Sequence, residues 1–205
     1  MIRILTVADR SRWPTAFESM HADRKRVFID QLKWNLTHLA GLEVDQYDHG
    51  DAVYIVVLDD ETGLHRGSVR LLRTDQPHIL GDLFPTLCAE APPRDPAIRE
   101  ITRLCISPDC PPSARVQVRR MLMSALVRYA AATRLTGFSA VTDVAFMSKV
   151  AATGWRCRPL GLPKQFDGLD LAALFIDIDD STVELLRRAG TWVEHEEAPA
   201  ASVLA

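Results

Sequence analysis

The stretch Arg99–Val144, REITRLCISPDCPPSARVQVRRMLMSALVRYAAATRLTGFSAVTDV, reads as a strand, a long helix and a second strand in succession. Arg99 to Ser107 is strand-like, and Pro111-Pro112-Ser113 announces a helix because proline and serine favour its first positions. Val118, Met121, Leu122, Ala125, Leu126 and Tyr129 then recur at helical spacing and give one apolar stripe. Phe138 to Val144 is the next strand. Upstream, Val53–Leu58 is a continuous apolar, β-branched run, expected of a strand buried on both faces. The turn Asp59–Gly63 joins it to Ser68–Leu72, which predicts an antiparallel hairpin. Ile2–Val7 is a first strand, and Phe17, Met20, Val27, Phe28 and Leu32 put a helix over Pro14–Leu32. Asn35–Asp51 and Thr74–Pro96, the second carrying Pro77, Pro85, Pro92, Pro93 and Pro96, read as long connections.

Downstream of the quoted stretch, Ala145–Thr153 is a short helix ending at Gly154, and Leu171–Ile178 a late strand. Ser181 with Glu184 spells a capping box for a last helix closed by Gly190. Strands and helices alternating in a mixed order predict an α/β or α+β sandwich around one sheet, a single domain over residues 1–193. Residues 194–205, rich in Glu, Ala and Pro, are expected to be a disordered tail.

Composition narrows the function classes. The 205 residues are 47% hydrophobic and 25% charged, ordinary for a globular chain. A net charge of −3 supplies no global attraction to nucleic acid or an anionic membrane. Met1–Arg10 carries charges inside its apolar run and lacks a signal-peptide core, and no stretch reaches the roughly 20 apolar residues of a membrane span. A cytoplasmic location is therefore expected. Cys88, Cys105, Cys110 and Cys157 have no C-x-x-C spacing and read as free thiols, and no H-E-x-x-H occurs among the histidines. No metal site is expected: the Asp45–Asp51 run misses the EF-hand spacing.

Several polar residues stand out against this background. Asp45 and Asp48 lie three apart in a loop beside Tyr47, either as a mutually repelling pair awaiting a cation or as turn caps. Arg24 and Phe28 are one helical turn apart, with Trp34 just beyond. Arg70 interrupts an apolar strand, and a buried guanidinium is costly without a partner. Glu100 and Arg103 would face opposite sides of an ideal strand, so only a bulge would aim both at one site.

Together these positions resemble the acyl-homoserine-lactone synthase family (autoinducer synthases, LuxI-type). The pattern runs through Arg24-x-x-x-Phe28, Trp34, Asp45-x-x-Asp48, Arg70, Phe84 and Glu100-x-x-Arg103, nine separated positions matching together across roughly residues 1–180. Arg73 stands where a proline is common, and Ile98-Arg99 where a Trp often precedes the Glu. The resemblance implies a GNAT-like N-acyltransferase fold with a mixed, splayed sheet. It also implies a reaction in which the amine of S-adenosylmethionine is acylated from a thioester and the product closes to a lactone. By the same resemblance, Glu100 would take the amine's proton, Asp45 and Asp48 would hold the ammonium or sulfonium, and Arg24 or Arg103 the carboxylate. Arg24, Phe28, Trp34, Arg70 and Phe84 would form the S-adenosylmethionine site. No cofactor is implied beyond these substrates.

The acyl tail would run beside Met121, Met123, Leu126, Thr142, Val144 and Met147, although core packing explains each of them equally well. The donor is expected to be an acyl carrier protein. An acetyl-CoA-dependent GNAT has a glycine-rich loop at the strand–helix junction, whereas this junction reads Ser107-Pro108-Asp109-Cys110-Pro111-Pro112 and holds few backbone donors. Arg119, Arg120, Lys149 and Arg156, with Arg115 and Arg158 nearby, would dock the acidic carrier. The alternatives are the same synthase using acyl-CoA, a plain GNAT acyltransferase, and an acyl-binding module without activity.

Overall fold

The computed structural model describes residues 1–194, so the expected tail falls, but for its first residue, outside the described chain. In chain order the elements are β1 (Ile2–Thr6), α1 (Pro14–Arg24), β2 (His38–Leu39), β3 (Leu42–Glu43), β4 (Val53–Leu58), β5 (His65–Arg73), α2 (Ile79–Leu83) and β6 (Ile98–Ile106). There follow α3 (Pro112–Thr133), β7 (Gly137–Asp143), α4 (Val144–Ala151), β8 (Cys157–Pro159), β9 (Lys164–Phe166), β10 (Leu169–Asp177) and α5 (Thr182–Arg188). Among the described residues, eight strands form one mixed sheet in the order β1-β4-β5-β6-β7-β10-β8, with β9 on β10, and β2 pairs with β3 apart from it. No helix among them is long and apolar enough to cross a membrane.

The chain divides into two compact units, 1–70 with 103–125 and 71–102 with 126–193, and passes from one to the other inside β5, β6 and α3. In the first unit β1 runs antiparallel to β4, in register from Ile2 opposite Val57 to Thr6 opposite Val53. Every residue of β4 is buried, as its continuous apolar run predicts. Phe17 and Met20 of α1, and Val118 and Leu122 of α3, are buried.

In the second unit β6 pairs in parallel with β7 over Ile98–Ile101 and Gly137–Ala140, the direction a helical crossover such as α3 provides. β7 is antiparallel to β10, and Leu80, Leu87, Leu171 and Ala173 form an apolar cluster with Phe84, Val141 and Phe166 around it.

The departures from sequence expectation have local causes. After Arg24 the first helix widens into a π-helix over Lys25–Gln31, which a 3.6-residue pattern does not reveal. The Asn35–Asp51 connection contains the β2–β3 hairpin, whose two-residue strands are too short to show a period. Thr74–Pro96 holds the one-turn helix α2 and a 3-10 turn at Pro85–Leu87, and β8 and β9 also escaped notice at three residues each. The Ser181–Glu184 capping box does not form. Ser181 has helical backbone angles, so its hydroxyl donates to Asp179 instead, and Glu184 pairs with Arg188. Gly154 does end its helix in the left-handed region, at φ 94°.

Gly137 is required for a steric reason. A Cβ there would lie 2.3 Å from the Phe175 ring and 2.9 Å from the Ile176 carbonyl of the neighbouring strand. Gly137→Ala should cost about 1–3 kcal/mol of overpacking and lower Tm by several degrees in a thermal melt. An unchanged Tm would show that β7 and β10 can part without penalty.

Candidate active site

The polar residues singled out above converge in the first unit. Arg24 closes the last α-helical turn before the π-helix, with 1% of its side chain exposed. Its Nη1 and Nη2 donate to Oδ1 and Oδ2 of Asp48, each at 2.9 Å, and its Nε donates to Oε2 of Glu43 at 2.5 Å. Arg70, on β5, forks onto Asp45 at 2.6 and 2.9 Å and also reaches Asp48 at 2.9 Å. Arg103, on β6, donates to Glu43 at 3.0 and 3.1 Å and to Asp45 at 2.7 Å. Three guanidiniums thus meet three carboxylates, and the charges cancel within the cluster. Planar, two-pronged contacts of this kind are the strongest hydrogen bonds side chains make.

Local backbone geometry delivers each partner. Asp45 accepts the Tyr47 N–H at 2.8 Å and Asp48 accepts the Asp45 N–H at 2.9 Å, so both carboxylates also hold the turn that carries them. The turn-cap reading therefore holds for both aspartates, and the same carboxylates also pair with the arginines. The two aspartates are not an unrelieved repulsive pair, because Arg24, Arg70 and Arg103 already neutralise them.

Arg103 sits at φ 50°, a left-handed conformation within a strand. Burial along β6 falls at Glu100, Thr102 and then Cys105, so the alternation slips by one residue there, as a bulge requires. Lys33 at φ 59° turns the chain so that Trp34 stacks on Phe28, ring centroids 5.0 Å apart and planes within 15°. The Arg103 guanidinium lies over the Phe28 ring at 5.7 Å.

Sequence reasoning missed three members of this site. Glu43 is fully buried and bridges Arg24 to Arg103, and its signal was the Glu43-Val44-Asp45 alternation of an extended segment. Tyr54 donates its hydroxyl to Asp48 at 2.7 Å. His21 donates from Nδ1 to the Glu43 carbonyl at 2.8 Å, because burial, then the nearby Arg24 charge, lower its pKa to about 4 and keep the ring neutral.

Other expected residues lie elsewhere. Glu100 and Phe84 belong to the second unit. The Glu100 carboxylate is fully buried and accepts the N–H groups of Ile79 and Leu80 at 2.8 and 2.9 Å, supplying the first turn of α2 with partners. Phe84 meets Phe166 edge-on at 5.1 Å. Of the residues expected along the acyl tail, Met121 and Met123 lie in the first unit and Leu126, Thr142, Val144 and Met147 in the second. Met123 and Leu126 are buried, Met121 and Thr142 are half-buried and Val144 is 39% exposed. Met147 lines a concavity of about 270 Å³ with Ala151, Cys157, Pro159 and Leu174.

Arg119, Arg120, Lys149 and Arg156 are exposed, as docking requires, but Arg156 is engaged by Asp179. Arg158 lies over the Phe175 ring, and Arg115 is drawn onto the carbonyls of Ser107, Pro108 and Cys110.

Burial opposes ionisation of Asp45 and Asp48, but hydrogen bonds and charge from Arg70 and Arg24 outweigh it and hold both below the usual carboxylate range. Their folded pKa values lie below the unfolded value of about 3.9. The stability they contribute is thus complete above that pH and is lost as pH falls through the folded values. Asp48→Asn should lower stability at neutral pH by about 3–5 kcal/mol, because Arg24 and Arg70 lose a buried counter-charge. It should also flatten the acid limb of Tm against pH. Wild-type stability and acid response in the variant would contradict the network.

Comparison with known proteins now has a geometry to explain. The family model for autoinducer synthases matches residues 9–186. An acyl-homoserine-lactone synthase from Ralstonia solanacearum is 36% identical over 173 residues, covering 80% of this chain and 82% of the relative. The solved structure of MesI, a CoA-dependent acyl-homoserine lactone synthase, superposes with a TM-score of 0.82 at 26% identity and covers 95% of this chain and 97% of that one. BjaI, a CoA-dependent synthase solved with SAM and isopentyl-CoA, superposes at 0.81 and 27%, covering 93% and 89%. Family match, relatives and fold agree: the chain belongs to the autoinducer synthase family and is an acyl-homoserine-lactone synthase, an acyltransferase of GNAT-like fold.

Proposed function

We propose that the chain transfers an acyl group from a thioester to the α-amine of S-adenosylmethionine and then closes the lactone. The observation that carries this reading is the gradient of exposure across the ionic network. Glu43, Arg24, Arg70 and Asp48 are 0–2% exposed, whereas Arg103 and Asp45 are 9% and 13% exposed and pair with each other at 2.7 Å. An amino-acid zwitterion replaces such an outer pair without changing net charge: its carboxylate takes Arg103 and its ammonium takes Asp45. The four inner groups hold the frame. The Phe28–Trp34 stack beside Arg103 offers an aromatic face to the sulfonium.

In the first step the amine nitrogen bonds to the acyl carbon and the thiol departs with a proton. An α-amine with a pKa of about 7.7–8.0 is partly free base at neutral pH, which limits the help it needs. Glu100 is the proposed acceptor for the remaining proton, and its carboxylate also accepts the N–H groups of Ile79 and Leu80. In the second step a carboxylate oxygen of the acylated substrate attacks its own γ-carbon and breaks the C–S⁺ bond. That step releases N-acyl-L-homoserine lactone and 5′-methylthioadenosine. The sulfonium is already a good leaving group, so positioning supplies most of the acceleration. A reaction that draws on S-adenosylmethionine and an acyl thioester fits a cytoplasmic location.

A carrier-protein donor is supported by the β6–α3 junction. The Asp109 and Cys110 N–H groups are taken by Ser107, and Pro111 and Pro112 have none, so these four residues offer a pyrophosphate no free backbone donor. A second reading, with acyl-CoA as donor, is favoured by the likeness to MesI and BjaI, both CoA-dependent.

Mass spectrometry of lactones from the purified enzyme, S-adenosylmethionine and matched acyl donors tests the reading. N-acyl-homoserine lactone should form, with a higher kcat/KM for the carrier-bound acyl group. A higher value with acyl-CoA would reverse the donor assignment, and no lactone from either would sink the proposal. Glu100→Gln should keep the fold yet slow acylation by a factor on the order of 10² or more. Near-normal turnover in a folded variant would take Glu100 out of proton transfer.

A further inference from the structure

Behind the ionic network runs a second buried polar chain that the reaction does not use. Asp23 directly precedes Arg24 on α1, and His65 and Ser68 lie on β5 just before Arg70. His65 Nδ1–H donates to Asp23 Oδ2 at 2.8 Å, and the Ser68 hydroxyl donates to His65 Nε2 at 2.9 Å. The three residues are 5%, 3% and 2% exposed. Burial, seconded by the Arg24 charge, holds the His65 pKa below its usual value, so the ring is neutral with one N–H and one lone pair, both satisfied. Asp23 also accepts from Arg26 at 3.1 Å.

The order Asp–His–Ser is that of a hydrolase triad, but this serine points its proton into a closed interior and has no access for an acyl group. Geometry suggests another use. Arg24 Nη1 and Arg70 Nη1 both reach Asp48 Oδ1, each at 2.9 Å, so two cations from different elements converge on one oxygen. Such a contact tolerates little drift of α1 along β5. Ser68 and Arg70 are two apart on one strand face, and Asp23 and Arg24 are adjacent on the helix. We propose that Asp23, His65 and Ser68 form a positioning chain that fixes α1 on β5 and so sets the Arg24 and Arg70 forks, the inner frame that presents Asp45 and Arg103 to the amino-acid end of the substrate. This rests on the reading of the network as the S-adenosylmethionine site.

The test uses the full chain, with S-adenosylmethionine binding by calorimetry and initial rates for both substrates. Asp23→Ala and Ser68→Ala should each raise Kd and KM for S-adenosylmethionine about tenfold, the value of one lost buried hydrogen bond. The kcat and the KM for the acyl thioester should stay within about threefold. Asp23→Asn should bind nearly as wild type, because the amide donates to Nδ1, the ring flips tautomer and Nε2–H then donates to Ser68. If Asp23→Ala does not fold, Ser68→Ala carries the test. Folded alanine variants that bind S-adenosylmethionine like wild type would reduce the chain to a stability element, and Asp23→Asn as impaired as Asp23→Ala would show that charge matters and not geometry. A wild-type enzyme that binds no S-adenosylmethionine would overturn the site reading and this inference with it.

Discussion

Charge cancellation among buried side chains governs the first unit. Arg24, Arg70 and Arg103 come from a helix and two strands, and their carboxylate partners from one short segment, Glu43–Asp48. None of these groups is tolerable alone, since an unpaired buried charge costs several kcal/mol. The segment must therefore turn tightly enough to present three carboxylates together, which the Asp45 and Asp48 side-chain bonds to its own backbone accomplish. The left-handed Arg103, the π-helix after Arg24 and the turn at Lys33 are backbone distortions that border this cluster. Distorted backbone of this sort persists where surrounding contacts over-determine it.

Under the proposed function, the same arrangement reconciles a site for a zwitterion with stability. A cluster of one sign would attract a counter-ion but repel itself. A closed, neutral cluster is stable, and it still offers an outer ion pair that an amino-acid end can exchange with. Arg103 and Asp45 are the most exposed of the six, and Arg103 also borders the aromatic stack.

Much of this was legible in the residues. Arg70 amid apolar neighbours demanded a buried partner, and the stripe Val118–Tyr129 located α3 while Pro111-Pro112-Ser113 marked its start. Asp45, Asp48, Arg24 and Arg103 were singled out before any geometry, and folding brings all four into one ionic network. What escaped was information that lives between elements. Glu43 looked like one more loop acid because only folding brings Arg24 and Arg103 to its two oxygens. α2 spans five residues and no local signal marks it, since Glu100 on β6, some twenty positions away, satisfies its first N–H groups. Ser181 and Glu184 fit a capping pattern that the backbone angles at Ser181 forbid.

In the proposed reaction the outer ion pair yields to the substrate while the inner frame stays fixed. A crystal structure of the chain with S-adenosylmethionine tests this most directly. The substrate carboxylate should lie on Arg103 and its ammonium on Asp45, with the 2.7 Å contact between those two residues broken. The Arg24–Asp48 fork should keep its geometry. Substrate bound with the Arg103–Asp45 pair intact, or at a place that touches neither residue, would contradict it.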